Sequence, residues 1–311
     1  MGITRTPSNG NKRRKPTANG TKLLLRAVLF SLVIGAGIAA GYIYLTSLNP
    51  TSPSSTVHQE VRHPLPQPSS SSSQHAMSIP TKNGALVVPR PGLKLAILID
   101  DMGRSTAQIQ RLIALQVPLS IAIIPGLAQD KAVATAAHTA GLQILVHLPM
   151  EALPGSYERL ENNGLLTSMQ DQEIITRVIG YCQRIPYAVG ANNHMGSAFT
   201  QNAQKMDTVL RTLKERHFFF IDSVTTPKSV ALKQARACGV PTARRDIFLD
   251  NDQNDIQIRT QMAKALRIAT KNGSALIIGH PHTQTLNSLE RIIPELSKQG
   301  VVFVRVGDLT R

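Results

Sequence analysis

From Lys94 onward, short apolar runs alternate with amphipathic stretches. Lys94 to Ile99 reads as a strand and Ser105 to Leu115 as a helix. Leu119 to Ile124 is the next strand, Asp130 to Ala140 a helix, and Gln143 to Leu148 a third strand. A helix over Asp171 to Arg184, a strand near Ala188 to Ala191, a helix around Ala203 to Glu215 and the strand His217 to Ile221 follow. Lys228 to Ala237 and Asp255 to Lys271 are helical. Ser274 to Ile278 and Val301 to Val304 are strands enclosing a helix near Leu286 to Lys298. Continuous apolar strands separated by helices indicate a mainly parallel sheet covered on both faces, as a barrel or a doubly wound sheet. No glycine-rich phosphate turn follows the first strand, which argues against the nucleotide-binding versions.

The pattern changes before Lys94. Leu23 to Leu45 is almost wholly apolar, and its 23 residues are long enough, as a helix, to cross a hydrocarbon core of about 30 Å. Arg26 lies where it can snorkel to one interface, and Tyr42 and Tyr44 sit at the other end. Basic residues crowd the first 22 positions, which predicts a cytoplasmic N-terminus. The expectation is a single-pass inner-membrane anchor at 23–45 after a basic tail at 1–22, with the following domain in the periplasm. A cleaved signal peptide would export the same domain. Residues 46–93, rich in Ser and Pro and including Ser69 to Ser73, read as a tether to a globular domain at 94–311.

Charge alters this picture little. The formal net charge is +15, but Arg5, Lys12, Arg13, Arg14, Lys15, Lys22 and Arg26 supply much of it without one acidic neighbour. There is no Trp and few aromatics on which bases would stack, so no nucleic-acid partner is expected. Cys182 and Cys238 are the two cysteines; a disulfide and two buried thiols both fit the sequence.

The candidate chemistry gathers where strands end. LAILID runs into Asp100 and Asp101. His147 closes the third strand, with Glu151 four residues on. The next strand opens into Asn192, Asn193, His194 and Ser197, FFFID ends in Asp222, and ALIIG leads to His280 and His282. Parallel α/β folds build their sites on this rim. Carboxylates and imidazoles converging there can hold a divalent metal with a position open to water, which suits hydrolysis of an amide or ester. Asn192, Asn193, Ser197, Arg245 and His282 are the candidate substrate-binding residues. Quieter roles compete. Asp100 could cap the following helix, Glu151 could pair with Arg159, and Asp246 and Asp250 could be turn residues, unless Asp250 orients a site arginine.

The ordered segments LAILIDDMG, HLPME, GANNHMGS, FFFIDS, ARRDIFLDN and IIGHPH resemble the successive motifs of the divergent polysaccharide deacetylase family, across nearly all of Lys94 to Arg311. The resemblance implies a distorted (β/α) barrel of about seven strands and a bound divalent metal, zinc first among the candidates. It further implies removal of acetyl groups from a cell-wall or extracellular glycan. Asp100 would be the general base, Asp101 a metal ligand and His280 the acid, with Asp222 carried in the catalytic group. His147 and Glu151 stand at the spacing of a histidine ligand pair; with a carboxylate in second place, His194 competes with Glu151 as third ligand. Two function classes follow: a metal-dependent, deacetylase-like hydrolase of the cell envelope, or a degenerate barrel that binds glycan or a protein partner without turnover.

Overall fold

The computed structural model describes Gly2, residues 86–155 and residues 159–311. These residues form nine strands, all paired in parallel: β1 (Lys94–Met102), β2 (Ser120–Ile123), β3 (Gln143–Met150), β4 (Gly190–Met195), β5 (Phe219–Asp222), β6 (Thr242–Arg244), β7 (Ile247–Phe248), β8 (Ser274–Gly279) and β9 (Val302–Val304). Their order is β6-β5-β4-β3-β2-β1-β8-β7, with β9 also against β1. No ladder joins β6 to β7 among the described residues; Arg245 and Asp246 alone link them. The result is a parallel α/β half-barrel. Seven strands were expected from apolar runs. The two extra strands, β6 and β7, have three and two residues and are too short to show a run.

Among the described residues seven helices cover the outside: α1 (Thr106–Ile113), α2 (Asp130–Thr139), α3 (Asp171–Arg184), α4 (Ala203–Lys214), α5 (Ala231–Cys238), α6 (Asp255–Asn272) and α7 (Thr283–Lys298). Local chemistry sets several ends. The side chains of Ser105, Asn202 and Asn254 accept the free amides at the starts of α1, α4 and α6. Gly273 closes α6 at φ 85, a left-handed conformation that costs glycine nothing, and turns the chain straight into β8.

The strands divide their side chains between two apolar layers. Leu95, Ile97 and Ile99 of β1 face the helices in the main core, whereas Ala96 and Leu98 join Ala122, Leu145, Ile221, Leu276, Ile278 and Val306 inside the barrel. Each buried Leu or Ile stabilises the fold by about 1.5–3 kcal/mol. This filled interior is the floor of the site, because the next inward position on several strands is polar.

The membrane assignment needs correction. Among the described residues no helix is long and apolar enough to cross a membrane. The Leu23 to Leu45 stretch on which the inner-membrane, periplasmic location rested lies outside the described residues. Both cysteines are free thiols. Burial pushes that of Cys182 up to about 11, so it is unreactive near neutrality.

Candidate functional site

Strand parity delivers most of the site. Asp100 continues the inward row of Ala96 and Leu98 and is 2% exposed. His147 continues from Leu145, Ser223 from Ile221, and His280 from Leu276 and Ile278. Asn192 and His194 occupy alternate positions of β4. Asp101 breaks parity. By alternation it belongs with the outward Ile99, but its φ is 56 and the β1–β2 register shifts between Ile99 and Met102. This irregularity turns its carboxyl back to the rim. Asp tolerates the left-handed region better than most residues, at a cost of about 1–3 kcal/mol.

Asp101 Oδ1 lies 3.1 Å from His147 Nε2 and 2.9 Å from His194 Nδ1. One ligand atom from each residue falls within 4.8 Å of the others. Asn192 sets the ring of His147. Its Nδ2 donates to both oxygens of Asp100, at 2.9 and 3.0 Å, and to Ser223 Oγ. Its Oδ1 is thereby left to accept from His147 Nδ1 at 2.8 Å. A second carboxylate stands behind His194, with Glu161 Oε2 3.5 Å from Nε2. Asp100, Asp101, His147, His194 and His280 share a cavity of about 150 Å³ with Asn193, Met195, Ser223, Thr225 and Phe248.

On the far wall His280 Nδ1 meets Asp250 Oδ1 at 2.9 Å, while Asp250 Oδ2 accepts from the His280 amide and from Thr285 Oγ1. Asp250 therefore orients the histidine and not an arginine. Arg245 is spent on backbone: Nε and Nη2 donate to the carbonyls of Ser223 and Val224, and the guanidinium covers the Phe248 ring at 3.7 Å. Asn193 bonds the Ser223 amide and the Met195 carbonyl. His282 precedes α7, its ring centroid 5.8 Å from that of His280.

Of the expected site residues, Asn192, Arg245 and His282 stand around the cavity without lining it, and Glu151, Asp222 and Ser197 are engaged elsewhere. Glu151 Oε2 accepts from the amide and hydroxyl of Thr167, both at 2.6 Å, and clamps the loop after β3; its carboxylate is not in the ligand cluster. Asp222 follows the outward Phe220, so parity points it away from the cavity. Its oxygens accept from Val224 N, Ser229 Oγ and Leu232 N at the approach to α5. Ser197 Oγ accepts from Leu153 N. Sequence reading missed Glu161, which sits in a loop without periodicity, and left Asp250 undecided although it lies two residues beyond β7.

The sequence from 97 to 310 matches the family described as divergent polysaccharide deacetylase. The chain belongs to that family. Curated relatives include the uncharacterized protein YibQ of Escherichia coli K12, 38% identical over 212 residues, which are 68% of this chain and 66% of that protein, slightly under two thirds. An uncharacterized protein of Haemophilus influenzae is 37% identical over 218 residues, 70% of this chain and 77% of its own length. Among solved structures, uncharacterized protein ATU2773 of Agrobacterium tumefaciens C58 shares the fold. Its TM-score is 0.66 at 21% identity, covering 71% of this chain and 90% of that one. All the rim residues lie inside the family match.

Charge states follow from burial and neighbours. Burial pushes the Asp100 carboxyl up, against the opposing pull of His147, His280 and Asn192. Burial acts the same way on Asp101, but there the adjacent His147 and His194 imidazoles outweigh it and hold the carboxyl far below the usual range. Burial pulls His147 down, and the charges of Asp100 and Asp101 reverse that. With Nδ1 donating to Asn192, His147 must hold a positive charge between Nε2 and Asp101, as a proton or as a cation. Asp101 Oδ1 is buried and accepts no hydrogen bond despite two imidazole nitrogens about 3 Å away. One carboxylate and two imidazoles from three different strands are also the donor set of a three-ligand divalent site. Asp101, His147 and His194 therefore fit a metal ion.

Proposed function

We propose that this domain is a metal-dependent hydrolase that removes acetyl groups from an amino-sugar glycan. The observation that carries the reading is the buried Asp101 Oδ1, unbonded between His147 Nε2 and His194 Nδ1. A divalent cation held by these residues, zinc foremost, would polarise the scissile carbonyl and lower the pKa of a bound water. Asp100 takes the proton of the attacking water: it is buried beside the cluster, its raised pKa suits a base, and Asn192 fixes its orientation. His280 returns a proton to the leaving amine. Burial alone would lower its pKa, but the bond to Asp250 and that residue's charge hold it up at about 9, so it carries a proton at neutral pH. Nδ1 is occupied by Asp250, which leaves Nε2 for the cavity.

Metal content of the purified protein and acetate release from short N-acetylated glucosamine oligomers test the reading together. Asp101→Asn, which keeps a side chain tolerant of positive φ, should lose the metal. Asp100→Asn should keep it and lose about 10²- to 10⁴-fold in rate. Glu151→Gln should retain the metal, because its carboxylate serves Thr167. A wild-type protein that binds no divalent cation would overturn the hydrolase reading in favour of a glycan- or protein-binding barrel.

A further inference from the structure

His194 poses a question that the ligand set leaves open. A neutral imidazole has one lone pair, so a ring that offers Nδ1 to a cation must carry its proton on Nε2. His194 is buried, and a buried N–H without an acceptor is costly. Glu161 Oε2 lies 3.5 Å from that nitrogen, is itself buried, and makes no hydrogen bond. The carboxylate is not there by chance of a loose loop. The Glu161 carbonyl accepts from Gly164 N at 2.8 Å, Gly164 O accepts from Arg177 Nη1, and Asn163 Nδ2 holds the Pro125 carbonyl.

Building on the metal reading, we infer that Glu161 is a positioning residue: it accepts the Nε2 proton of His194 and so turns the Nδ1 lone pair toward Asp101. The two candidate histidine ligands are then set in opposite tautomers by two different partners. Asn192 occupies Nδ1 of His147 and frees Nε2; Glu161 occupies Nε2 of His194 and frees Nδ1. Both free nitrogens face the same oxygen, Asp101 Oδ1. Carboxylates in this outer position also raise the basicity of the ligating nitrogen, and losing one typically costs 10- to 100-fold in metal affinity.

The test uses the whole protein, zinc ions, and the variants Glu161→Ala and Glu161→Gln. Zinc affinity is read by chelator competition, and the His194 tautomer from imidazole ¹⁵N–¹H spectra of the zinc-loaded protein, assigned with His194→Gln. Glu161→Ala should weaken zinc about 10- to 100-fold, with the unfolding midpoint of the metal-free protein showing that it folds. Glu161→Gln, whose amide oxygen still accepts the proton, should recover most of that loss. Loaded wild type should show an Nε2–H resonance for His194 that exchanges faster in Glu161→Ala. Wild-type affinity in the alanine variant, or an Nδ1–H tautomer in the loaded wild type, would overturn the inference while leaving the metal reading intact. Failure of the wild type to bind zinc would instead overturn the metal reading and this inference with it.

Discussion

Asp250 gives its whole carboxylate to holding one histidine: Oδ1 to the His280 ring, Oδ2 to the His280 amide and the Thr285 hydroxyl. His280 is raised from about 6.5 to about 9, so the pair stabilises the folded state fully below about pH 6.5. That contribution is lost as pH rises through about 9. In the metal-free protein, Asp250→Asn should return the His280 titration toward its ordinary value and flatten the fall in stability between those limits. It should also lower stability at every pH, since an amide NH₂ would face a donor. An NMR titration and urea unfolding across that range read both effects; His280 still titrating near 9 in the variant would show that another charge holds it. Asn192 is the second residue of this kind. Asn192→Ala removes the donor to Asp100 and the acceptor for His147 Nδ1 together. About 1–3 kcal/mol per orphaned group is the expected loss, measured by the urea midpoint.

At the ends of the strands, backbone and side chain share the work of shaping the rim. Asp101, Met195 and Val224 have φ of 56, 53 and 48, all in the left-handed region, at or just beyond β1, β4 and β5. Each needs outside support to persist. The Met195 carbonyl accepts from Asn193 Nδ2 and Thr225 Oγ1, and Val224 is held at both ends, its amide by Asp222 and its carbonyl by Arg245. Asp222, expected in the catalytic group, and Arg245, expected to meet substrate, thus both help fix the turn after β5. Gly196 continues the turn after β4 at φ 85, and a Cβ there would sit 3.1 Å from the Met150 Cβ. Gly196→Ala should therefore destabilise the protein by about 1 kcal/mol or more, and less if the turn shifts. A shift would show as weakened metal binding at His194, so unfolding and zinc titration of one variant separate the two responses.

Across the whole molecule, the described domain starts earlier than its first strand. Leu86 is 3% exposed; its amide bonds Glu295 and its carbonyl accepts from Gln299, while the Gly92 amide reaches the Gly300 carbonyl. The Ser- and Pro-rich composition of 46–85 predicts protease cutting there. We expect limited proteolysis to leave a resistant fragment that begins close to Leu86 and keeps its cooperative unfolding. Trimming to Lys94 without loss of stability would show that the Leu86 contacts contribute little.

The sequence by itself determined the parallel α/β architecture, because buried parallel strands must be apolar throughout and the intervening helices amphipathic. It also determined that Asp100, His147 and His280 share the rim, since inward rows end in them. Parity could likewise have warned against Asp222, one residue past the inward Ile221. Only the tertiary structure decided the rest. Asp101 reaches the cluster through a register break and a positive φ that no pattern of polar and apolar residues encodes. His194, and not Glu151, lies beside Asp101 and His147, because Thr167 claims the Glu151 carboxylate. Glu161 arrives from a loop whose path is set by long-range bonds to Pro125 and α3. Strand periodicity is a local property that survives in one dimension; the meeting of loop, bulge and rim depends on contacts between distant segments, which only the folded chain brings together.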